Sequence, residues 1–190
     1  MTITQEVIGI IKNRRNTKEF TDSEVRDEDI KTLLEAAVWA PNHRNTEPWR
    51  FVVVRKNAEM KSLIAEGLVS LQENISGIKL PEEHKQRICD GVIASPTLIF
   101  VFSLTGDTDE ITEENYGAVC CAIQNIQIVA ESMDLSVGWS TGRMCKISNL
   151  DEIFGITEEG LKIAGVLTVG YAEPTPNKTR INYKELTKWF

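Results

Sequence analysis

The segment that decides the fold lies between two apolar stretches and reads Ala40-Pro41-Asn42-His43-Arg44-Asn45-Thr46-Glu47-Pro48-Trp49-Arg50-Phe51. The residues before it, 27–39, repeat apolar side chains at helical spacing, and Pro41 predicts that this helix ends there by biasing Ala40 away from helical geometry. The residues after it, 51–54, are typical of a buried strand. A connector needs only a few turn residues, so a loop with this much polar chemistry is a candidate binding loop. A plain proline-rich helix stop is the alternative.

The rest of the chain mixes helices and strands without regular alternation. Periodicity predicts helices over 2–13, from a cap at Asn57, from Pro81, over 114–133 and over a capped 148–154. It predicts strands at 97–104, 136–139 and 161–171, the first apolar on both faces and therefore central. Thr2 and Gln5 fit a capping box, and residues 73–80 are predicted to be a mobile excursion. These patterns predict one α+β domain over residues 1–190, with helices around a sheet of four or five strands.

The bulk composition excludes several classes of protein. The chain has 190 residues, 42% hydrophobic and 26% charged, and a net charge of −7. An acidic chain lacks the broad basic face of a nucleic-acid-binding protein. No apolar run reaches the length of a membrane span, and residues 1–15 lack a signal-peptide pattern. We therefore expect no nucleic-acid partner, no membrane association and a cytoplasmic location.

Cysteine and histidine usage predicts no metal site. The four cysteines, at 89, 120, 121 and 145, form no C-x-x-C pair, and we expect them to be buried free thiols. The two histidines, at 43 and 84, have no partner at ligand spacing. Motifs for a dinucleotide-binding fold, a P-loop and a nucleophile elbow are absent from the sequence.

Two basic clusters suggest a phosphate ligand. Arg14, Arg15 and Lys18 lie within five positions, beside Asn16 and Thr17 as hydrogen-bond donors, and the pair Lys178 and Arg180 recurs near the end of the chain. Guanidinium groups bind a terminal phosphate bidentately, and a lysine adds a point charge. The alternative for either cluster alone is a solvated helix end that favours cations.

Taken in order, these segments resemble the nitroreductase family of FMN-dependent oxidoreductases over nearly the whole chain. The family's opening motif, Arg-Arg-Ser-x-Arg/Lys-x-Phe, is matched from Arg14 to Phe20, with Asn16 in place of serine. Its central loop is matched by Pro41, Asn45, Pro48, Trp49 and Phe51, in a form most similar to the small, compact bacterial subgroup. Residues 136–142 and the pair Lys178 and Arg180 match two further motifs.

The resemblance implies an α+β nitroreductase-like fold, with a mixed or antiparallel sheet flanked by helices, in a homodimer that binds FMN at its interface. It implies that the phosphate and ribityl chain contact Arg14, Arg15, Asn16, Lys18, Lys178 and Arg180. It implies that the ring system passes Trp139, Ser140, Thr141 and Gly142, whose backbone N–H groups can bond flavin N5. The loop residues Asn42, His43, Asn45 and Glu47 would reach the partner subunit's flavin. Glu47 stands where glutamine is common, so an ion pair with Arg44 or Arg50 is an equal alternative for it.

The implied activity takes hydride from NADH or NADPH and reduces small electrophiles such as nitroaromatics or quinones by a ping-pong mechanism. No side chain is expected to be catalytic, because flavin N5 carries the chemistry. Two alternatives stay open: a non-catalytic flavin-binding or sensing protein, and a specialised dehydrogenase or dehalogenase acting on one metabolite. The apolar helix 114–133 and the terminal Trp189-Phe190 independently suggest a docking surface for a second subunit.

Overall fold

The computed structural model describes residues 2–173 and 178–190. The described helices are α1 (Ile3–Asn13), α2 (Asp27–Val38), α3 (Met60–Ser76), α4 (Glu82–Ile93), α5 (Asp109–Ser132), α6 (Leu150–Phe154) and α7 (Tyr183–Leu186). The described strands are β1 (Trp49–Val54), β2 (Thr97–Leu104), β3 (Ser136–Ser140) and β4 (Leu161–Gly170). Two 3₁₀ turns, His43–Asn45 and Arg143–Lys146, complete the described elements.

The strands form one antiparallel sheet in the order β1-β2-β4-β3. β2 is interior and buried along nearly its whole length, which confirms the prediction of a central strand at 97–104. Residue Asn16, just beyond α1, adds a short parallel bridge to Val137 of β3. The α+β prediction and its sheet of four or five strands are therefore confirmed, and the segment after α1 is joined to the sheet edge.

Helices cover both faces of this sheet. α2 and α5 pack on one face around Leu33, Val119 and Ile123, whereas α3 and α6 pack on the other around Ile64 and Phe100. The sequence predicted that α5 would offer apolar surface beyond what one subunit can cover. That prediction is wrong, because the apolar stripe of α5 is buried against α2 and the sheet.

Exposed apolar side chains are most numerous on α1 and on the C-terminal segment, although others, such as Trp39 and Ile75, lie elsewhere. No residue of α1 is buried, although the helix is amphipathic. The large hydrophobic side chains left exposed there are Ile3, Val7, Ile8, Ile11, Ile181, Tyr183, Leu186, Trp189 and Phe190. The predicted docking tail begins at Pro174, and residues 174–177 lie outside the described residues.

The observed starts of three helices confirm one predicted cap and correct two predicted helix boundaries. The Thr2–Gln5 capping box is confirmed, with reciprocal hydrogen bonds of 2.9 and 3.3 Å. The prediction that Asn57 caps the next helix is wrong, because α3 begins at Met60, after Glu59, without a side-chain cap. α5 begins five residues before its predicted start because the Thr108 hydroxyl accepts a hydrogen bond from the Ile111 N–H at 3.2 Å.

Residues 73–80 are not a loose excursion. α3 continues to Ser76 and ends at Gly77, whose φ of 70° suits glycine. The Glu73 carboxylate accepts hydrogen bonds from Lys79 Nζ at 2.6 Å and from the Leu80 N–H at 2.9 Å. The chain then enters α4 directly after Pro81. The polar composition that suggested mobility instead forms a tied helix–helix connection.

The cysteines also differ from the prediction. All four thiols are free, but Cys89, Cys120 and Cys145 are only partly buried and Cys121 is exposed. Over residues 2–173 and 178–190, no group of three or more His, Cys, Asp or Glu side chains could hold a metal ion. In the same ranges, no helix has both the length and the apolar character needed to cross a membrane.

Lys61 of α3 is a buried lysine that ties α4 to the start of β2. It is 2% exposed, and its ammonium group donates to the carbonyls of Ile93 and Pro96 at 3.3 and 3.2 Å and also to that of Ser95. Burial and the positive charge of Lys56 lower the pKa of Lys61 from 10.5 to about 8. The ammonium group therefore fixes the backbone that joins the two elements.

We expect Lys61 to make the free energy of unfolding rise with pH in the alkaline range. Between pH 8 and 10.5 the unfolded chain binds a proton at Lys61 that the folded chain has released, so the free energy of unfolding increases with pH. The free energy of unfolding of the wild type, relative to that of Lys61→Met, should rise by up to about 3 kcal/mol across this window. Urea denaturation of both proteins at several pH values measures it, and a constant difference would contradict the assignment.

Candidate functional site

A cavity of about 690 Å³ lies where the segment after α1 meets α3, α4, β3 and the Arg143–Lys146 turn. Four of the predicted cofactor-binding residues line it: Asn16, Lys18, Trp139 and Ser140. Among the residues that the structure describes, the ionisable side chains on its wall are Lys18, Arg87 and Arg143, with no carboxylate. The cavity thus combines predicted site residues with a wholly positive set of charges.

The segment after α1 is fixed to β3 at the cavity wall. Asn16 Oδ1 accepts a hydrogen bond from the Trp139 N–H at 2.6 Å, and the Thr17 N–H donates to the Val137 carbonyl at 3.3 Å. Gly138 makes this approach possible, since a Cβ there would lie 2.2 Å from the Thr17 carbonyl oxygen. The asparagine in place of the family's serine therefore positions the basic motif as an acceptor, and its amide N–H₂ group has no acceptor in the described chain.

Gly138→Ala should separate the basic motif from the sheet. Because the obstructing atom belongs to the backbone, the segment has to shift, and we expect a loss of about 1–2 kcal/mol in the free energy of unfolding. Gly117→Ala on α5 is the matched control, since a Cβ there meets nothing within 4 Å. Chemical denaturation measures the free energy of unfolding of both variants. Equal stability of the two would show that the Asn16–Trp139 contact does not depend on Gly138.

The two basic clusters of the sequence meet at the end of α1. The pKa of the Arg14 guanidinium is lowered from its ordinary value by burial, by the positive charge of Arg180 and by that of Arg15. Glu131 of α5 acts in the opposite direction, and burial raises the pKa of its own carboxyl group. Arg14 and Arg180, separated by most of the chain, are therefore close enough to repel each other, as expected of groups that share an anionic ligand.

The other residues of the basic clusters differ in their roles. The Arg15 guanidinium donates to the carbonyls of Lys12, Asn13 and Arg14 at 2.6–3.0 Å, so it caps the C-terminus of α1. For Arg15 the alternative of a cation at a helix end is therefore realised. Lys178 is exposed, and the structure records no ion pair for it among the described residues. Arg14, Arg180 and Lys18 are the stronger candidates for phosphate contacts.

Backbone donors at the end of β3 are fewer than the sequence suggested. The Trp139 N–H is used by Asn16, and the Gly142 N–H donates to Ser140 Oγ at 3.1 Å. These two groups therefore already have acceptors within the chain, and their contact with flavin N5 stays a prediction. The Thr141 N–H has no acceptor in the described residues. The Trp139 indole nitrogen is buried and also lacks a partner there.

The loop at residues 42–47 is strained and anchored. Arg44, Asn45 and Glu47 have φ values of 61°, 52° and 43°, a region that costs energy for residues other than glycine. Asn42 Oδ1 accepts from the Glu47 N–H at 3.0 Å, and His43 Nδ1 lies 2.8 Å from Glu114 Oε1 of α5. Strain held in place in this way is typical of binding loops. None of these residues lines the cavity.

The ion-pair alternative for Glu47 is wrong. The Arg50 guanidinium binds the Glu158 carboxylate at 2.8 Å and reaches only the backbone carbonyl of Glu47, while Arg44 faces Glu114. Within the described residues the Glu47 carboxylate has no cation within 4 Å. A contact of this loop with the partner's cofactor stays a prediction.

The sequence reasoning missed three residues with long polar side chains on the cavity wall. Gln72 of α3, Arg87 of α4 and Arg143 of the second 3₁₀ turn all line the cavity. Arg143 directly follows the predicted Ser140–Gly142 segment, so its position gave a signal that was not used. Gln72 and Arg87 lie on amphipathic helices, and nothing local marks them.

These features fit the flavin mononucleotide that the resemblance implies. The cavity volume is in the range of cofactor and ligand sites. The positive cluster of Arg14 and Arg180 suits a terminal phosphate, and the absence of carboxylates on the wall suits a cofactor whose ring gains negative charge when reduced. The Thr141 N–H, which has no acceptor among the described residues, leaves one backbone hydrogen-bond donor at the same end of β3.

Comparison with known proteins places the chain in a family. The model of the Nitroreductase family matches residues 11–171. The Bacillus subtilis (strain 168) protein named "Putative NAD(P)H nitroreductase YfhC" is 26% identical over 167 residues, which span 88% of this chain and 84% of that protein. The solved nitroreductase-like family protein from Bacillus cereus superposes with a TM-score of 0.82 at 26% identity, covering 100% of this chain and 98% of that one.

A solved nitroreductase with bound FMN from Bacteroides fragilis NCTC 9343 shares the fold. Its TM-score is 0.66 at 21% identity, covering 97% of this chain and 98% of that one. The fold prediction of a helix-flanked antiparallel sheet of this type is thus confirmed. Since the family model covers most of the sequence, including Arg14 to Phe20, the central loop and β3, the chain belongs to the nitroreductase family.

Proposed function

We propose that this protein is an FMN-dependent oxidoreductase that takes hydride from NADH or NADPH and reduces small electrophiles such as nitroaromatics or quinones. The observation that carries the proposal is a cavity whose ionisable lining, among the described residues, is Lys18, Arg87 and Arg143, together with Arg14 and Arg180 close enough to affect each other's charge. The FMN bound to the Bacteroides fragilis structure and the NAD(P)H in the name of the Bacillus subtilis relative support it.

The residues present divide the binding of this cofactor between them. Arg14, Arg180 and Lys18 would hold its phosphate, and the Asn16 amide N–H₂ would donate to its polar chain. The unpartnered Thr141 N–H is the backbone donor left for its ring. When bound, FMN supplies the hydride chemistry, so the chain has to supply position and electrostatics.

The electrostatic contribution of the chain follows from its fixed donors. Gly138 and Asn16 lock the basic segment to the sheet, and Lys61 locks the Ser95–Pro96 wall, so cationic groups face the cavity without rearrangement. Preorganised positive charge in a cavity favours a ligand that becomes more negative during the reaction.

Kinetics with both substrates test the proposed cycle. One cavity without a separate nucleotide fold implies that nicotinamide and oxidant use it in turn, so initial rates should give parallel double-reciprocal lines. The measurement varies NADH or NADPH against a quinone at several fixed concentrations. Intersecting lines, or simultaneous binding of both ligands, would contradict a shared cavity.

Anaerobic stopped-flow mixing with NADH and NADPH separates an enzyme from a non-catalytic flavin-binding protein. The proposal expects the flavin absorbance to bleach rapidly with at least one of the two donors and to return when oxidant is added. A flavin-loaded protein that neither donor reduces would favour a binding or sensing role. Rapid reduction combined with reoxidation by a single metabolite, and by no other acceptor, would favour a specialised enzyme.

A further inference from the structure

We propose that Arg87 and Arg143 select a negatively charged electron acceptor by binding its carboxylate or phosphate group. This inference rests on the proposed function and adds the chemical class of the oxidant. The two residues come from α4 and from the Arg143–Lys146 turn, and both line the cavity described above. Neither belongs to a motif that the resemblance assigns to the cofactor.

The cavity wall is positively charged, although the chain as a whole is negatively charged. The protein carries 28 acidic and 21 basic residues, yet the ionisable side chains lining the cavity are Lys18, Arg87 and Arg143. In a partly enclosed space of this kind, like charges raise the local concentration of anions. Arg14 and Arg180, the proposed phosphate ligands, are not part of this lining, so a cofactor phosphate held by them leaves Arg87 and Arg143 without a counter-ion.

The two guanidinium groups have no carboxylate partner in the described chain. Over residues 2–173 and 178–190, Arg87 donates only from Nε to the Glu83 carbonyl of its own helix, at 3.4 Å, and Arg143 has no recorded side-chain hydrogen bond. Two other arginines, by contrast, bind carboxylates: Arg26 pairs with Asp29 at 2.7 Å and Arg50 with Glu158 at 2.8 Å. In an acidic protein, two unpaired arginines on one cavity wall are therefore a selective feature.

The surroundings define the rest of the ligand. Leu68, Ile88 and Met144 lie on the same wall, contributed by α3, α4 and the turn that carries Arg143. α3 packs against both α4 and this turn, so the three elements form one continuous surface. An apolar wall with guanidinium groups beside it suits a small aromatic or aliphatic acid, whose body contacts carbon and whose anion contacts nitrogen.

A matched pair of oxidants tests the proposal. We compare 4-nitrobenzoate with the neutral 4-nitrobenzyl alcohol in the FMN-loaded wild type and in Arg87→Gln/Arg143→Gln. The double variant should lose about 10-fold in kcat/KM for the anion and less than about 2-fold for the alcohol. Lys146→Gln/Lys162→Gln removes the same charge from outside this cavity and should change neither value by more than about 2-fold. Equal losses on the two oxidants, or no loss on either, would overturn the proposal.

Two further measurements keep the result distinct from the proposed function. Calorimetric titration of 4-nitrobenzoate into the FMN-loaded proteins should show the same selective weakening without turnover. FMN affinity and turnover of the neutral alcohol report on the proposed function alone. If the double variant instead raises the KM for NADPH or NADH and leaves 4-nitrobenzoate unaffected, the arginines bind the phosphates of the donor, and the proposal is overturned.

Discussion

Arg14→Ala should weaken FMN binding by about 10- to 100-fold and leave riboflavin binding within about 2-fold of the wild type. The reason is that Arg14 is partly buried and already destabilised by Arg180 and Arg15, so its charge is best used when an anion lies beside it. Riboflavin has the same ring system without the phosphate, and the difference between the two ligands therefore isolates this contact. Fluorescence titration of the apoprotein with each ligand measures both affinities.

Lys12→Ala is the matched control for this experiment. Lys12 lies in the last turn of α1 and is exposed, and its substitution removes the same charge as Arg14→Ala. It is not among the groups that shift the pKa of Arg14. It should leave the FMN affinity within about 2-fold, since surface charges contribute little. Arg14→Ala and Arg180→Ala combined should lose less than the product of the single losses, because both side chains serve one phosphate. Equal affinity of the wild type for FMN and riboflavin would refute the phosphate assignment.

The sequence predicted elements well where the pattern was long and strong, and poorly where a single hydrogen bond decides. β2 is apolar on both faces, and its predicted bounds, 97–104, match the structure. The start of α5 depends on the Thr108 hydroxyl, and the link from α3 to α4 depends on the Glu73 carboxylate. Those bonds join residues whose conformation periodicity does not specify, so the helix bounds were wrong there.

The cavity lining was predictable only where one motif held several of the lining residues. Asn16 and Lys18 follow one another closely in sequence, and Trp139 and Ser140 adjoin each other, so each pair was found together. Arg87 reaches the cavity because α3, α4 and the second 3₁₀ turn pack around it, which no local pattern reveals. The sequence also could not separate Arg14 from Arg15, because only the fold shows that Arg15 caps α1.

Exposed apolar side chains on α1 and at the chain end indicate a surface that a second subunit would cover. On α1, Ile3, Val7, Ile8 and Ile11 are 80%, 45%, 44% and 45% exposed, and Trp189 near the chain end is 84% exposed. An amphipathic helix normally buries its apolar face, and contiguous exposed apolar surface marks an interaction site. The end of α1 carries Arg14, so a partner that covers this helix would also border the proposed phosphate site.

We expect the FMN-loaded protein to sediment as a homodimer of twice the 21.3 kDa chain mass at low concentration. An interface that completes two cofactor sites should bury more than about 2,000 Å², and subunits separated from such an interface should not stay folded. Val7→Asp/Ile11→Asp places two charges in the apolar face of α1 and should abolish both the dimer and FMN retention. Sedimentation velocity monitored at the flavin absorbance measures mass and cofactor together.

Leu63→Asp/Ile75→Asp provides the matched control. These side chains are also exposed apolar residues on a helix, but α3 packs on the opposite face of the sheet from α2 and α5, whereas α1 contacts α5. The control variant should remain a flavin-loaded dimer, because its charges enter water rather than an interface. If the α1 variant also stays dimeric, α1 is not the interface. A wild-type monomer that carries FMN would refute the shared site, together with the contact of His43 and Glu47 with the partner's cofactor.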